Sequence, residues 1–183
     1  HHITISRAKG SLTFPAQCIV IASMNPCPCG YGKERGCTCS DRDISNYNKR
    51  ISGPIVDRID MWVSVSKVDY DKLSDSSRSN EGSVTIKKRV EVCRKIQSKR
   101  FNKFKIKNKI LNSEMNVSDI EKCIRLDKEV KELLKSSTER LGLSARAYHR
   151  IIKLAQTIAD LENSQNIRKE HILEALQYRQ KGF

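Results

Sequence analysis

Residues 18–39 read Cys18-Ile-Val-Ile-Ala-Ser-Met-Asn25-Pro-Cys27-Pro-Cys29-Gly-Tyr-Gly-Lys-Glu-Arg-Gly-Cys37-Thr-Cys39. The opening run, Cys18 to Ala22, is apolar and rich in β-branched residues. Such a run predicts a strand covered on both faces, as in α/β folds. Asn25 ends it, and catalytic groups in open α/β sheets sit at the carboxyl ends of strands. Asn25 can orient a water or contact a phosphate there; equally, Asn25-Pro26 is an ordinary turn opener. Four cysteines follow as Cys27-x-Cys29-x7-Cys37-x-Cys39. Four thiolates can close a tetrahedral shell around Zn²⁺, and Gly30, Gly32 and Gly36 allow the loop to fold back. Reactive thiols or four unliganded cysteines are the competing readings, and two symmetric pairs favour zinc. A shell of four thiolates leaves no position for water, so this zinc would be structural.

Upstream, Ile3 to Phe14 divides into two short β segments joined around Lys9-Gly10, a hairpin pattern. Downstream, Ser40 and Asp43 form a capping-box signature for a helix running to about Arg50. Gly53-Pro54 breaks that helix and starts a short turn of another, and Met61 to Val65 reads as a strand. Asp69 to Ser83, rich in Ser and Asp, reads as a linker. Beyond it the pattern is helical. Ile86, Val90, Cys93, Ile96 and Gln97 mark one helix face. Ser118 and Glu121 suggest a capping box, Asp127 a cap for the next helix, and Gly142 its stop. Ser144 would cap a third helix with Ile151, Ile152, Leu154, Ala155, Ile158 and Leu161 buried, and residues 168–180 would form the last. The expected fold is therefore an α/β portion over 1–70, with hairpin and zinc loop, followed by an all-α bundle over 71–183.

Charge and composition narrow the class. The 183 residues carry 35 Lys and Arg against 21 Asp and Glu, a net +14. Lys87 to Lys109 alone holds eleven basic residues and one acid, Glu91. So dense a stripe can neutralise nucleic-acid phosphates, or be only a solvated helix face. No apolar run approaches the roughly 20 residues a membrane span needs. The absence of a charged-then-apolar leader argues against secretion, and seven cysteines with four clustered fit metal in a reducing, cytoplasmic compartment. Two further sites draw notice. Arg146, with Arg150 one turn later, lies in the first turn of a helix, where cations oppose the dipole; an anionic partner would offset that, although surface arginines are common. Asp57-Arg58-Ile59-Asp60 places a cation between two acids, for which a local salt bridge is the simplest reading.

These features occur together, in order, in the bacterial magnesium-chelatase-like AAA+ ATPases of the competence protein ComM (YifB) family. The resemblance lies in Thr4-Ile-Ser-Arg-Ala8, Phe14-Pro-Ala16, Met24-Asn-Pro-Cys-Pro-Cys-Gly30 and Ile51-Ser-Gly-Pro-Ile-Val-Asp-Arg-Ile-Asp60. It continues in Arg140-Leu-Gly-Leu-Ser-Ala-Arg-Ala-Tyr-His-Arg150, Thr157-Ile-Ala-Asp-Leu-Glu162 and Glu174-Ala-Leu-Gln-Tyr-Arg179. Residues 72–112 are similar mostly in helical character.

The resemblance implies the C-terminal part of an AAA+ core followed by its helical lid. By it, Asn25 is sensor 1, holding the attacking water and γ-phosphate. Arg58 is the arginine finger that reaches the ATP of a neighbouring subunit, and Arg146 is sensor 2, contacting phosphates from the lid. The hairpin would point into a central channel, as in the related minichromosome maintenance helicases. Lys9 would then touch DNA; the basic stripe, independently of the resemblance, offers Lys99, Lys103 and Lys105 as further candidate DNA contacts. ATP with Mg²⁺, structural Zn²⁺, a hexamer and single-stranded or branched DNA are the implied cofactors and partners; no membrane is. The sequence departs from the family in lacking a G-x-x-x-x-G-K-[ST] loop and a hydrophobic run ending in Asp-Glu. Both are expected upstream in the full protein, so the chain alone is expected not to hydrolyse ATP. The implied function is ATP-driven DNA remodelling in uptake and recombination. The alternatives are a chelatase-type chaperone acting on a protein, and a non-enzymatic zinc-stabilised DNA-binding module.

Overall fold

Apolar and hydroxyl residues alternate from Ile3 to Ser6 and again from Ser11 to Phe14, so each segment offers two different faces. In the computed structural model, which describes residues 2–16, 18–32, 36–65 and 81–179, these segments pair as an antiparallel hairpin. Strands β1 (His2–Arg7) and β2 (Gly10–Pro15) are joined by Ala8-Lys9. Gly10 resumes the ladder at φ 145°, a conformation that penalises a side chain. Thr4 meets Thr13 and Ser6 meets Ser11, with hydroxyls 3.2 and 3.0 Å apart. Ile3 opposes Phe14 and Ile5 opposes Leu12 on the other face. The hairpin is the one the sequence predicts.

The buried strand expected at Cys18–Ser23 does not form. Among the described residues the only sheet is β1–β2, and Ile19, Val20 and Ile21 are 86%, 81% and 91% exposed. The strand expected at Met61–Val65 is likewise unpaired within a sheet, and Val63 and Val65 are exposed. A strand exists through its ladder, and a central parallel strand needs a neighbour on each side. Neither segment has such a neighbour among the described residues. β-branched composition supplies the tendency but not the partners.

The chain divides into two compact units, His1–Arg50 and Ile51–Phe183. The first contains the hairpin, the cysteine loop and helix α1 (Asp41–Asn48). Its capping box is the expected one: the Ser40 hydroxyl accepts from the Asp43 amide, and the Asp43 carboxylate accepts from the Ser40 amide, both at 3.2 Å.

The second unit begins with the single turn α2 (Gly53–Val56), opened by Pro54. The expected linker is largely Asp69–Asn80, which lies outside the described residues. Helix α3 (Ser83–Lys103) is followed by a 3₁₀ turn (Asn112–Glu114), then α4 (Val117–Cys123), α5 (Lys128–Leu141), α6 (Ala145–Leu161) and α7 (Lys169–Gln177). Gly142 ends α5 in the left-handed conformation, φ 58°, and Ser144 caps α6 by accepting from the Ala147 amide. Both follow the sequence reading. The capping box of α4 does not: it is Asn116 with Asp119, each accepting from the other's amide at 2.9 Å, and Ser118 lies inside the helix. Residue 180, the expected end of the last helix, lies outside the described residues.

Helix α6 is the centre of the bundle. Ile151, Ile152, Ala155, Ile158 and Ala159 are buried against Phe101 of α3, Ile120 of α4, Val130 and Leu134 of α5 and Ile172 of α7. The face expected on α3 is shifted towards its end. Cys93, Gln97 and Phe101 are buried at i, i+4 and i+8, while Ile86 and Val90 are exposed. One buried polar cluster accompanies the apolar core. Asp160 on α6 takes two bonds from Arg100 of α3, one from Asn112 at 2.9 Å and one from Gln156 at 3.0 Å.

Candidate functional site

The cysteine loop brings its four thiols to one point. The sulfurs of Cys27 and Cys29 are 3.2 Å apart, those of Cys29 and Cys37 3.6 Å, and those of Cys27 and Cys37 3.5 Å. With Cys39 included, all four lie within 4.8 Å of one another. Zinc bound tetrahedrally at about 2.3 Å would hold its sulfurs roughly 3.8 Å apart, so this donor set fits the ion. The backbone explains the convergence. Gly30 and Gly32 adopt φ 84° and 68°, the left-handed region that lets the chain turn back just after Cys29. The Gly32 amide then donates to the Cys27 sulfur at 3.3 Å, and the Gly30 amide to the Cys27 carbonyl at 3.0 Å.

The thiols do not share charge evenly. The Tyr31 amide, with help from the Cys27 thiol, pulls Cys29 down to about 6. The Cys29 amide also lowers Cys39, but desolvation and the neighbouring thiols outweigh it and hold Cys39 up at about 12. Against the lowering effect of the Cys39 amide, Cys37 is raised in the same way. One thiolate makes a second costly at this distance, and a divalent cation removes that conflict.

Asn25 lies close to this loop. A Cβ on Gly30 would lie 3.5 Å from the Asn25 side-chain nitrogen, so the loop doubles back over the Asn25 amide. Tyr47 of α1 donates its hydroxyl to the Asn25 carbonyl at 3.0 Å. The backbone of Asn25 is thus tied from α1 while its side chain remains exposed. Tyr47 carries no sequence signal that would single it out.

In the second unit, the acids beside Arg58 do not pair with it. Asp60 pairs with Arg150 of α6 at 2.6 Å, and Asp57 with Arg179, just after α7, at 3.5 Å. Arg150 also donates to the Arg58 carbonyl, and Arg179 to the Ile59 carbonyl at 2.9 Å. The Trp62 amide donates to the Tyr178 carbonyl at 2.8 Å. The Arg58 guanidinium itself is exposed and donates to the Pro54 carbonyl at 2.8 Å. The local salt bridge is therefore replaced by two distant arginines. Arg150 is engaged by protein groups, whereas the side chain of Arg146, exposed at the first turn of α6, has no hydrogen bond or ion pair among the described residues. Arg58 and Arg146 belong to this second unit and Asn25 to the first.

The basic run is partly used by the fold. Arg100 binds Asp160, Lys109 binds Asp119 and Arg89 binds Glu81. Lys99, Lys103 and Lys105 are exposed and have no ion pair among the described residues, and Lys103 sits 5.9 Å from the Phe104 ring centre. Lys9 is exposed in the hairpin turn. None of the described helices is long and apolar enough to cross a membrane.

Comparison with known proteins gives this geometry a family. The family described as magnesium chelatase, subunit ChlI, matches residues 1–73, and the one described as magnesium chelatase, subunit ChlI C-terminal, matches residues 80–179. Competence protein ComM of Haemophilus influenzae is 36% identical over 177 residues, covering 97% of this chain and 33% of that protein. The protein YifB of Escherichia coli K12 is 34% identical over 97% of this chain and 34% of its own length. This chain therefore spans about a third of the curated relatives it matches. With one family covering more than half of its residues and the other most of the remainder, the chain belongs to the magnesium-chelatase-like ComM family.

Proposed function

We propose that the whole protein is an AAA+ ATPase that couples ATP hydrolysis to DNA remodelling, and that this chain supplies the rear of its core and its helical lid. The observation that carries this reading is Arg58. Its guanidinium is exposed, both neighbouring acids are bound to other cations, and its backbone is tied down. An arginine freed from its local acids and presented on a fixed backbone suits stabilisation of charge on a phosphoryl group. In this reading Arg58 reaches the nucleotide of a neighbouring subunit in a hexamer. Arg146 contacts phosphates within its own subunit, and Asn25 holds the attacking water and γ-phosphate.

The cofactors divide between this chain and the rest of the protein. Cys27, Cys29, Cys37 and Cys39 would hold Zn²⁺, which braces the loop beside Asn25 and does no chemistry. ATP would meet Asn25, Arg58 and Arg146. The phosphate loop and the ligands of Mg²⁺ are expected in the remainder of the protein, so this chain alone would not hydrolyse ATP. DNA, single-stranded or branched, would meet Lys9, Lys99, Lys103 and Lys105. The name of the Haemophilus relative, competence protein ComM, supports a role in competence. The chelatase name of the matching families supports the second reading, a chaperone ATPase acting on a protein partner.

The test is ATP hydrolysis by the full-length protein with and without single-stranded or branched DNA. Stimulation by DNA is expected, and Arg58→Ala should lower turnover by about 10³-fold or more while ATP binding stays nearly intact. Hydrolysis indifferent to DNA but raised by a protein partner would favour the chaperone. Full turnover in Arg58→Ala would remove the arginine finger.

A further inference from the structure

Residues 57–62 leave the short helix α2 and run on with no sheet among the described residues to receive their backbone groups. Two arginines and one carbonyl take that place. Arg150 holds the Arg58 carbonyl and the Asp60 carboxylate; Arg179 holds the Ile59 carbonyl and the Asp57 carboxylate; Tyr178 accepts the Trp62 amide. Each guanidinium thus grips one main-chain oxygen and one acid, Arg150 through a single nitrogen and Arg179 through two. The Asp60 side chain is 70% exposed, so the ion pair with Arg150 adds little stability by itself. Its consequence is geometric: the carbonyl bond fixes where the backbone of Arg58 lies relative to α6.

We propose that Arg150 and Arg179 are positioning residues for Arg58, setting the reach of its guanidinium from the lid. The proposal rests on the reading of Arg58 as an arginine finger. Arg150 lies one turn after Arg146 on α6. The helix that presents Arg146 to phosphate therefore also grips the backbone of Arg58, and a displacement of α6 moves both arginines. An otherwise ordinary surface arginine ties the chain's two phosphate-facing cations to one rigid element.

The experiment uses the full-length protein, with Arg150→Ala, Arg150→Lys, Asp60→Asn and Arg58→Ala compared in steady-state and single-turnover hydrolysis. Arg150→Ala should lower kcat about 10- to 100-fold, the scale of a small misplacement of a catalytic group, with KM for ATP nearly unchanged. Arg150→Lys should restore only part of the rate, and Arg150→Ala added to Arg58→Ala should cost nothing more. Hydrogen exchange in Arg150→Ala should quicken over residues 57–62 and stay unchanged in α5. Should Arg150→Ala fail to fold, Asp60→Asn serves in its place, with a two- to tenfold loss of kcat expected at unchanged KM. An inactive Arg58→Ala beside an Arg150→Ala or Asp60→Asn of normal kcat would overturn the positioning role alone. Multiplicative loss in the double variant would do the same. An active Arg58→Ala would overturn the finger reading, and the proposal with it.

Discussion

Cys27 is 1% exposed, yet its sulfur accepts the Gly32 amide and has two other sulfurs within 3.5 Å. A buried structural thiol normally sits among apolar groups; here an amide donor and two further sulfurs surround it, the setting of a metal ligand. Cys29, held at about 6 chiefly by the Tyr31 amide, is already ionised near neutrality, while Cys39 at about 12 must lose its proton to a competing cation. Zinc uptake should therefore release protons, and the purified protein should contain about one zinc per chain. Cys27→Ser should lose the metal, and limited proteolysis should then cut between residues 26 and 39. Wild-type protein that is metal-free but equally protected would exclude the four-cysteine site. The same loop lies against Asn25, so an effect of metal removal on that residue is expected through the backbone rather than through charge.

Helix α4 shows how an element is chosen among nearly equivalent signals. Asn116-x-x-Asp119 and Ser118-x-x-Glu121 have the same spacing, and either could cap a helix. The first forms because Asp119 has a second partner, Lys109, which makes its burial tolerable. Desolvation pushes the Asp119 carboxyl up, but Lys109 and the Asn116 amide more than reverse it, so its pKa falls below the ordinary carboxylate value. A depressed folded-state pKa stabilises the protein above the unfolded value, about 3.9, and that contribution is lost as pH falls through the folded value. Asp119→Asn should accordingly lower stability at pH 7 and flatten the loss below about pH 4. Thermal melts across pH 2–7 give the comparison, and parallel curves for the two proteins would remove Asp119 from the acid response. The box that forms was hidden because its deciding contact comes from a residue ten positions upstream. Hairpin, Gly142 stop and Ser144 cap were legible because each depends on a few adjacent residues. The strands at Cys18–Ser23 and Met61–Val65 were misread because strand formation depends on partners that local composition cannot supply. The convergence of the four cysteines was legible from their spacing, whereas the grip of Arg150 and Arg179 on residues 57–60 joins positions about 90 and 120 apart.

At the scale of the molecule, the basic run has two roles that its composition does not separate. Arg100 turns inward and Lys99 outward from the same turn of α3. The Arg100 side chain is 12% exposed and that of Asp160 fully buried, and the pair is completed by Asn112 and Gln156. Together they join α3, the 3₁₀ turn and α6, the three elements around which the bundle is arranged. Removing one partner of such a pair leaves an uncompensated buried charge, costing about 3–5 kcal/mol, whereas exposed lysines cost almost nothing to replace. Arg100→Ala should thus lower the unfolding free energy of the bundle by about 3 kcal/mol or more. Replacing Lys99, Lys103 and Lys105 together by Gln should leave the melting temperature unchanged. In the full-length protein that triple variant should instead reduce the slope of log Kd against log salt for single-stranded DNA, by roughly 0.7 for each phosphate that is no longer neutralised. Stability read by denaturant melts and affinity read by salt titration would then respond to different residues of one helix. If the triple variant melted early, or bound DNA with an unaltered slope, the outward lysines would belong to the fold or to the solvent and not to a nucleic-acid surface.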